Sequence, residues 1–402
     1  MLLESVRGQK DLPRYFAQVF EIAQSMKNGV LDFRLPDGRV FRARAKAPGP
    51  VAEITVHDPD VFARLIREGD LGFSDAYIEG GWTSPDLQVF MDLIQNDNEE
   101  VYNGFPGMTF VRAYERLRHW LNANTKKQAK KNISYHYDLG NEFYSEWLDD
   151  TMTYSSAIFE TGQESLEKAQ TAKYASMVDQ MGVRPGDHVL EIGCGWGGFA
   201  EYAAKERGLK VTGLTISQEQ LKFAQDRMKR LGIDDRVELK LQDYRDEKGH
   251  YDGIASIEMF EAVGEKYWPT YFDTVRDRLK PGAQATLQII TIEDSRFEMY
   301  RKSVDFIQKY IFPGGMLPSP SVLRQEVQKA GLQVKGSIEF GESYSQTLRR
   351  WHDVFNDRWD AIKDMGFDDS FQRMWNFYLC SCAAAFHSGN CDVTQITIKR
   401  PV

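Results

Sequence analysis

A carboxylate stands just before a glycine-rich turn in the stretch VLEIGCGWGGF, residues 189–199. Gly193, Gly195 and Gly198 satisfy the pattern G-x-G-x-x-G, in which backbone N–H groups approach the pyrophosphate of a dinucleotide. Glu191 precedes the first glycine by two residues and would repel a pyrophosphate by roughly a few kcal/mol at intermediate dielectric. S-adenosylmethionine instead carries a cationic sulfonium and a cationic ammonium group. Glu191 therefore favours S-adenosylmethionine over a dinucleotide as the cofactor.

Polar residues also follow the next two predicted strands. The segment TISQEQ offers hydroxyl, amide and carboxylate groups where the ribose of the cofactor is expected, and QDY offers groups for the adenine. Ordinary helix caps and loops contain the same residue types, so the interpretation depends on their order after the glycine turn. The cofactor residues predicted besides Glu191, Gly193 and Gly195 are Gly197, Thr215, Ile216, Gln220, Gln242 and Asp243.

Regular alternation of strands and helices begins near Gly182 and would position these groups. HVLEIG, KVTGLTIS, RVELKLQD, YDGIASIE and QATLQIITI have strand character, helical segments separate them, and TQITIK is a late strand. This order predicts an α/β fold with a doubly wound, Rossmann-like sheet. Its ligand belongs at the carboxyl ends of the strands.

The first part of the chain predicts a smaller α+β domain. DFRLPDGRVFRARA has two alternating segments around Asp37-Gly38, a hairpin signal. AEITVHDP is a further strand, and APGP at 47–50 is expected to interrupt the structure between them. The predicted domains are residues 1–122 and residues 123–402.

The charge and the residue composition of the chain argue against several classes of function. The net charge of −9 argues against a nucleic-acid binder, whose surface is usually basic. Four cysteines are too few for a disulfide framework, and neither they nor the histidines show metal-ligand spacing, so thiols and no metal are expected. No apolar run is long enough to span a membrane, and the start of the chain does not have the pattern of a signal peptide. These features predict a cytoplasmic enzyme.

One segment is strongly basic although the chain as a whole has a net negative charge. Residues 116–131, RLRHWLNANTKKQAKK, contain six Lys or Arg and no acidic residue. Such a segment can bind an anionic lipid surface, and it is equally typical of a solvated linker between domains. Arg301 and Lys302 leave a similar choice open between a phosphate site and a solvated face.

Several longer motifs together resemble those of cyclopropane-fatty-acyl-phospholipid synthases, in order over nearly the whole chain. They are SYHYDLGNEFYSEWLDDTMTYSSAIF at 134–159, LEIGCGWGGFA, GLTISQEQ, LQDYRD, MFEAVG, KYIFPGGMLPS and NFYLCSCAAAFHSG. The catalytic part is also similar to mycolic acid cyclopropane synthases and related methyl-branching enzymes. The resemblance implies a seven-stranded, doubly wound, Rossmann-like methyltransferase sheet. It also implies lipid or dimer contacts for residues 1–122 and a methyltransferase domain at residues 123–402.

The resemblance implies methyl transfer from S-adenosylmethionine to a cis double bond in a phospholipid acyl chain. A carbocation forms, and loss of a proton from the new methyl group closes the cyclopropane ring. Bound bicarbonate is the implied proton acceptor. The resemblance also implies a homodimer and peripheral contact with the inner face of the membrane, for which residues 116–131 and the first domain are the candidates.

Site residues follow from the same resemblance. Glu261 of MFEAVG and Tyr344 of FGESYSQTL match the glutamate and tyrosine at the bicarbonate. Tyr154 and Ser155 match residues at the cofactor, and Cys382 matches a cysteine sometimes regarded as catalytic. Its surroundings, CSCAAAF, favour a buried helix face instead. His136 and Tyr137 are expected at the substrate or in a lid over it.

Two positions depart from the usual family pattern. Ser156 stands where many bacterial members have cysteine, and Gln288 stands where many have histidine. Glutamine can donate a hydrogen bond to an anion but cannot take its proton. Both residues are expected at the catalytic site, and the departures put the bicarbonate site and the product in doubt.

The carbocation requires a dry site with one base, and aromatic faces stabilise such a cation. The aromatic residues expected to line the site are Tyr135, Tyr137, Phe143, Tyr144, Trp147 and Tyr154, and for each one core packing is the alternative. Glu261 follows the fourth strand of the sheet, and the resemblance favours it. Glu258, three residues earlier, is the alternative base on spacing alone.

Three rival functions remain open. The departures at Ser156 and Gln288 permit a methyl-branched or methylene product without ring closure. A non-catalytic lipid-binding protein would have no need of Glu191, the glycines and Glu261 together. A small-molecule methyltransferase is disfavoured by the segments HYDLGNEFY and YIFPGG, which resemble the lipid-modifying family.

Overall fold

The computed structural model describes residues 2–95 and 139–402, which form two sheets with helices packed around them. The strands are β1 (Leu2–Leu3), β2 (Asn28–Arg34), β3 (Val40–Arg44), β4 (Ala47–Val56), β5 (Trp82–Thr83), β6 (His188–Ile192), β7 (Lys210–Thr215), β8 (Val237–Leu241), β9 (Tyr251–Ile257), β10 (Leu279–Ile292), β11 (Gln333–Glu339) and β12 (Cys391–Lys399).

The α-helices of the described residues fall into two groups. Those of the N-terminal part are Phe16–Gln24, Val61–Glu68, Asp70–Ile78 and Leu87–Gln95. Those of the remainder are Asn141–Trp147, Leu166–Met181, Gly198–Lys205, Gln218–Leu231, Trp268–Arg278, Asp294–Tyr300, Pro320–Lys329, Gly341–Asp357, Trp359–Asp364 and Asp369–His387. A π-helical turn covers Ile307–Ile311.

The larger sheet has seven strands in the order β11-β12-β10-β9-β6-β7-β8. Strand β12 is antiparallel to both of its neighbours, and the other pairs are parallel. The chain order reverses between β6 and β9, so the carboxyl ends of these two strands form the switch point where ligands bind in such sheets. The predicted Rossmann-like, doubly wound fold is confirmed.

The smaller sheet has the order β1-β3-β2-β4-β5. The predicted hairpin is present, with Phe33 opposite Phe41 and Gly38 in the left-handed region at φ +87°. The break expected at APGP is wrong, because β4 begins at Ala47. A register shift opposite β2 accommodates the segment, and a Cβ on Gly49 would lie 2.7 Å from the Gly29 nitrogen, so the backbones meet more closely than a side chain would allow.

The two sheets belong to units that pack together through helix Asp369–His387. Helix Leu87–Gln95 lies against it, and Arg373 Nε donates to the Ile78 carbonyl at 2.7 Å. Ion pairs between Arg349 and Asp92 and between Lys309 and Asp75 add polar contacts. The predicted boundary at residues 122 and 123 lies outside the described residues. Within the described ranges, every helix is too short or too polar to cross a membrane.

Candidate active site

A single cavity of about 830 Å³ extends from the carboxyl ends of β6 and β9 into the N-terminal unit. Its wall includes the glycine turn, the start of the segment after β9, the π-helical turn, and one face of helix Asp369–His387. Most residues predicted for the cofactor and the chemistry contribute to this wall. The cavity is therefore the candidate active site.

Glu191 and the glycine turn form the polar end of the cavity. Glu191 is buried, and its Oε2 has no hydrogen-bond partner among the described residues. Burial raises the pKa of Glu191 to about 8, against the opposing effect of Lys173 and Arg227. Gly193 adopts φ +85°, and a Cβ there would lie 2.8 Å from Met259 Cγ. The chain thus passes close to the cavity with an unsatisfied carboxyl group aimed at it.

The predicted ribose and adenine residues also line the cavity. Thr215, Ile216 and Gln220 lie at the end of β7, where Thr215 Oγ1 donates to Gln220 Oε1 at 3.0 Å. Gln242 and Asp243 lie after β8, and both carboxylate oxygens of Asp243 accept from Arg245. The adjacent Ser217 caps its helix by accepting from the Gln220 N–H at 3.3 Å. The segment therefore combines an ordinary helix cap with cavity-lining groups.

Gly197 differs from the other predicted glycines. Gly193, Gly195 and Gly198 line the cavity, whereas Gly197 packs beneath the turn. A Cβ on Gly197 would lie 3.0 Å from Met228 Cε and 3.2 Å from Ala224 Cβ, and its φ is +86°. Gly197 turns the backbone into helix Gly198–Lys205, and the predicted contact of this residue with the cofactor stays a prediction.

The hydrogen-bonding groups at the polar end of the cavity fit S-adenosylmethionine. The unsatisfied Glu191 oxygen suits a cationic group, and the positive-φ glycines leave room for a ligand against the backbone. Thr215, Gln220 and Gln242 would hold the nucleoside part. When bound, the cofactor supplies an electrophilic methyl group, and the protein must place an acceptor carbon beside it.

Glu258 is the central acceptor of a hydrogen-bond network beside the cofactor residues. Its Oε1 accepts from the Ser156 N–H and from Gln288 Nε2, each at 2.8 Å, and the Tyr344 hydroxyl also hydrogen-bonds to the carboxylate. Burial raises the pKa of Glu258, while Lys173 and these donors oppose the rise. Glu258 adopts φ +47°, a conformation that costs a residue with a side chain about 1 kcal/mol or more. Strained backbone of this kind is typical of functional sites.

Glu261 lines the same cavity in a different environment. Its Oε1 accepts from the Ile290 N–H at 2.6 Å, and its Oε2 has no partner among the described residues. Burial and the nearby Glu258 raise the pKa of Glu261 to about 8. Glu261 is therefore mostly protonated at neutral pH and is poorly suited to accept a proton there.

Ser156 and Gln288 are fully buried and lie behind Glu258, away from the cavity surface. Gln288 Nε2 also donates to the Ser156 carbonyl at 3.2 Å, and Gln288 Oε1 accepts from Gln395 Nε2 at 3.0 Å. The prediction that both residues belong to the catalytic site stays a prediction. In the structure, the Ser156 N–H and the Gln288 side chain hold the Glu258 carboxylate in place.

Lys173 is a buried charged residue behind the cavity wall that the sequence analysis did not identify. It is fully buried on helix Leu166–Met181, and its Nζ donates to Ser155 Oγ at 2.7 Å. Burial lowers the pKa of Lys173, and the carboxyl groups of Glu258, Asp149 and Glu191 oppose the change. A lysine at helical spacing between Ala169 and Met177 on an apolar helix face is the sequence signal that could have revealed it.

Tyr154, Ser155, Tyr344 and Cys382 all line the cavity as predicted. The Tyr154 and Tyr378 hydroxyls lie 2.7 Å apart. Burial raises the pKa of the Cys382 thiol well above its usual value, so it stays protonated. A protonated thiol on an apolar wall agrees with the structural interpretation of Cys382 and gives no support to a nucleophile.

Most of the aromatic residues that line the cavity are not the ones that the sequence predicted. Phe143, Tyr144 and Trp147 are buried in an aromatic cluster with Trp351 and Trp375 and do not line the cavity. Core packing is the better interpretation for these three residues. Tyr135, His136 and Tyr137 lie outside the described residues. The aromatic residues that do line the cavity include Tyr154, Trp196, Phe306, Phe312, Tyr344, Phe377, Tyr378 and Phe386.

The far end of the cavity enters the core of the N-terminal unit, which the sequence did not predict. Apolar side chains from its strands and helices form this end, and Phe306 and Phe377 connect it to the catalytic part. The N-terminal lining residues include Val19, Ile22, Ala23, Met26, Leu31, Phe33, Ile54, Phe62, Phe73, Phe90 and Met91. Such a wall is suited to a hydrocarbon chain.

The known proteins that are similar to this chain support the interpretation of the cavity as an active site. A family model described as mycolic acid cyclopropane synthetase matches residues 124–396. The chain is 38% identical to tuberculostearic acid methyltransferase of Mycobacterium tuberculosis, over 86% of this chain and 82% of the relative. It is also 38% identical to cyclopropane-fatty-acyl-phospholipid synthase of Escherichia coli, over 92% of this chain and 94% of the relative.

A solved structure shares the catalytic architecture. The crystal structure of a mycolic acid cyclopropane synthase complexed with SAH and CTAB superimposes with a TM-score of 0.63 at 28% identity, over 67% of this chain and 98% of that one. The strand order of the larger sheet, the glycine turn beside Glu191 and these similarities all indicate the same family and the same cofactor. The chain therefore belongs to the mycolic acid cyclopropane synthetase family and is an S-adenosylmethionine-dependent methyltransferase.

Proposed function

We propose that this enzyme converts the cis double bond of an unsaturated phospholipid acyl chain into a cyclopropane. The observation that carries the proposal is the single cavity that joins the cofactor residues to a long apolar end. Glu191 and Glu258 mark the polar part, and the N-terminal unit supplies the apolar part. A chain bound along this cavity would have an internal carbon, and not its end, beside the methyl donor.

The exposed mouth of the cavity supports access from a membrane surface. Met299 and Lys302 both line the cavity, and the Met299 side chain is 49% exposed to solvent. Arg301, next to Lys302, is paired with Glu265 and Glu298. A cavity that reaches the surface at Met299 and Lys302 gives an acyl chain a route of entry from a membrane. Co-sedimentation with phospholipid vesicles would measure this contact, and sedimentation velocity would measure the proposed homodimer.

Bicarbonate is not included in the proposed reaction. The residues expected to hold it are Glu261, Tyr344, Ser156 and Gln288. Tyr344, Gln288 and the Ser156 N–H already hydrogen-bond to Glu258. With these donors engaged by a protein carboxylate, the residues present do not fit a bound bicarbonate.

A methyl-branched product is the second candidate. The identity to a protein named tuberculostearic acid methyltransferase favours it as much as the equal identity to a cyclopropane synthase favours ring closure. The cyclopropane and the methyl-branched alkene each add one CH2 to the chain, so mass alone does not separate them. The position from which the cation loses its proton decides between them.

The test uses the full chain, vesicles of a defined unsaturated phospholipid, and labelled S-adenosylmethionine. We expect label in the acyl chains and cyclopropane signals in the proton NMR spectrum, with loss of the vinyl signals. Retained vinyl signals without cyclopropane signals would establish the methyl-branched candidate. Failure to bind S-adenosylmethionine in calorimetry would instead support a non-catalytic lipid-binding protein.

A substitution at the far end of the cavity should change chain-length preference. Ala23→Phe places a ring in the apolar end, so long acyl chains should lose about tenfold in kcat/KM while shorter ones lose less. The exposed Glu21 on the same helix provides the control Glu21→Phe, which should leave the preference unchanged. Equal losses for all chain lengths would contradict the proposed path of the chain.

A further inference from the structure

We infer that the Glu258 carboxylate is the catalytic base of this enzyme and takes the place of bicarbonate as the acceptor of the proton released on ring closure. This inference rests on the proposed function and deepens it. It changes the reaction from one that requires an added anion to one that the chain completes with its own residues.

Convergence of hydrogen-bond donors is the first argument. Ser156 and Gln288 lie 102 and 30 residues from Glu258 in the sequence, yet both donate to the same oxygen, Oε1. The Tyr344 hydroxyl completes the set. Three donors around one carboxylate favour its ionised form. This arrangement is the one expected for a bound anion, and here the anion is covalently part of the chain.

The backbone gives a second, independent argument. Glu258 holds φ +47°, in the left-handed region that favours glycine, and its own N–H donates to the Gln288 carbonyl at 2.9 Å. A glutamate persists in this conformation only if the surrounding structure fixes it. The conformation directs its side chain between Ser156 and Gln288 while leaving the carboxylate on the cavity wall.

Glu261 is the competing base, and its environment argues against it. Its carboxyl group accepts only from backbone N–H groups, those of Ile290 and of Glu261 itself, and burial beside Glu258 raises its pKa to about 8. Burial raises the pKa of Glu258 as well, but Lys173 and the donors from Ser156, Gln288 and Tyr344 oppose that rise. Of the two carboxyl groups, Glu258 is the one held ready to accept a proton.

The proposed step balances with the groups present. After methyl transfer, a C–H bond of the new methyl group breaks, and its electron pair forms the C–C bond that closes the ring. The proton passes to Glu258, whose Oε2 is the better acceptor because Oε1 already takes two N–H donors. Release of the proton to solvent between turnovers restores the carboxylate.

The test compares wild type, Glu258→Gln and Glu258→Gly in buffer depleted of bicarbonate, with release of S-adenosylhomocysteine as the assay. Wild type should keep its full rate without bicarbonate. Glu258→Gln should lose about 100-fold or more in kcat, as expected for loss of a general base, and should still bind the cofactor. Glu258→Gly removes the side chain and should regain turnover when bicarbonate or formate is added.

A binding measurement provides a readout separate from activity. NMR titration with isotope-labelled bicarbonate should show saturable binding to Glu258→Gly and none to wild type. Loss of wild-type activity on bicarbonate depletion would overturn the inference. So would an active Glu258→Gln variant, or a Glu258→Gly variant that binds cofactor but is not rescued. If wild type itself releases no S-adenosylhomocysteine with unsaturated vesicles, the proposed function fails, and the base assignment is not the cause.

Discussion

Glu191→Gln is expected to weaken the binding of S-adenosylmethionine by about 100-fold, or roughly 3 kcal/mol. Glu191 is buried, and its Oε2 has no partner among the described residues, so a cationic ligand is its natural counterpart. An amide of the same size keeps the packing and removes the charge. Isothermal titration calorimetry measures the change directly.

The same residue should couple binding to pH. The pKa of Glu191 is raised to about 8, so the group is mostly protonated at pH 7 before binding. A cationic cofactor beside it lowers this pKa, and binding therefore releases close to one proton. Affinity should rise as the pH increases toward about 8 and level off above it, because the ionised form needs no further proton release.

Calorimetry in buffers with different ionisation enthalpies would reveal the proton. Wild type should show a buffer-dependent binding enthalpy, and Glu191→Gln should show none. Glu206→Gln is the matched control, since Glu206 is an exposed carboxylate at the end of helix Gly198–Lys205 and does not line the cavity. Wild-type affinity in Glu191→Gln would contradict the assignment of this residue to the cofactor.

Lys173→Met is expected to lower the free energy of unfolding by about 3 kcal/mol, the usual cost of leaving buried charge uncompensated. Lys173 is fully buried, donates to Ser155, and interacts favourably with the carboxylate of Glu258. Its removal should also raise the pKa of Glu258 further, because Lys173 holds that pKa down. Activity that depends on ionised Glu258 should then appear only at higher pH than in wild type.

Denaturant unfolding measures the first effect, and the pH profile of kcat measures the second. A purely structural lysine would change stability without moving the acidic limb of the profile. Lys363→Met is the control, because Lys363 forms an exposed ion pair with Asp369 and should affect neither measurement. An unshifted acidic limb in Lys173→Met would separate Lys173 from the catalytic carboxylate.

Local sequence determined the fold and the cofactor end of the site. Alternation of apolar strands and amphipathic helices fixed the order of β6 to β10, because hydrophobic periodicity reports local structure directly. Glu191 and the glycines lie within a few residues of one another, so their shared role could be inferred without tertiary information. The packing of Gly197 against Met228, by contrast, could not be read from local sequence.

Tertiary structure decided the catalytic end. Ser156, Gln288 and Tyr344 meet at Glu258 from distant parts of the chain, and a spacing argument left Glu258 and Glu261 equivalent. Their different hydrogen-bond donors and their different neighbouring charges exist only in the folded protein. The apolar end of the cavity likewise depends on docking of the N-terminal unit against helix Asp369–His387. The sequence by itself determined which cofactor donates the methyl group. Only the fold decided which carboxylate can receive the proton, because the pKa of a carboxyl group depends on surroundings that local sequence does not specify.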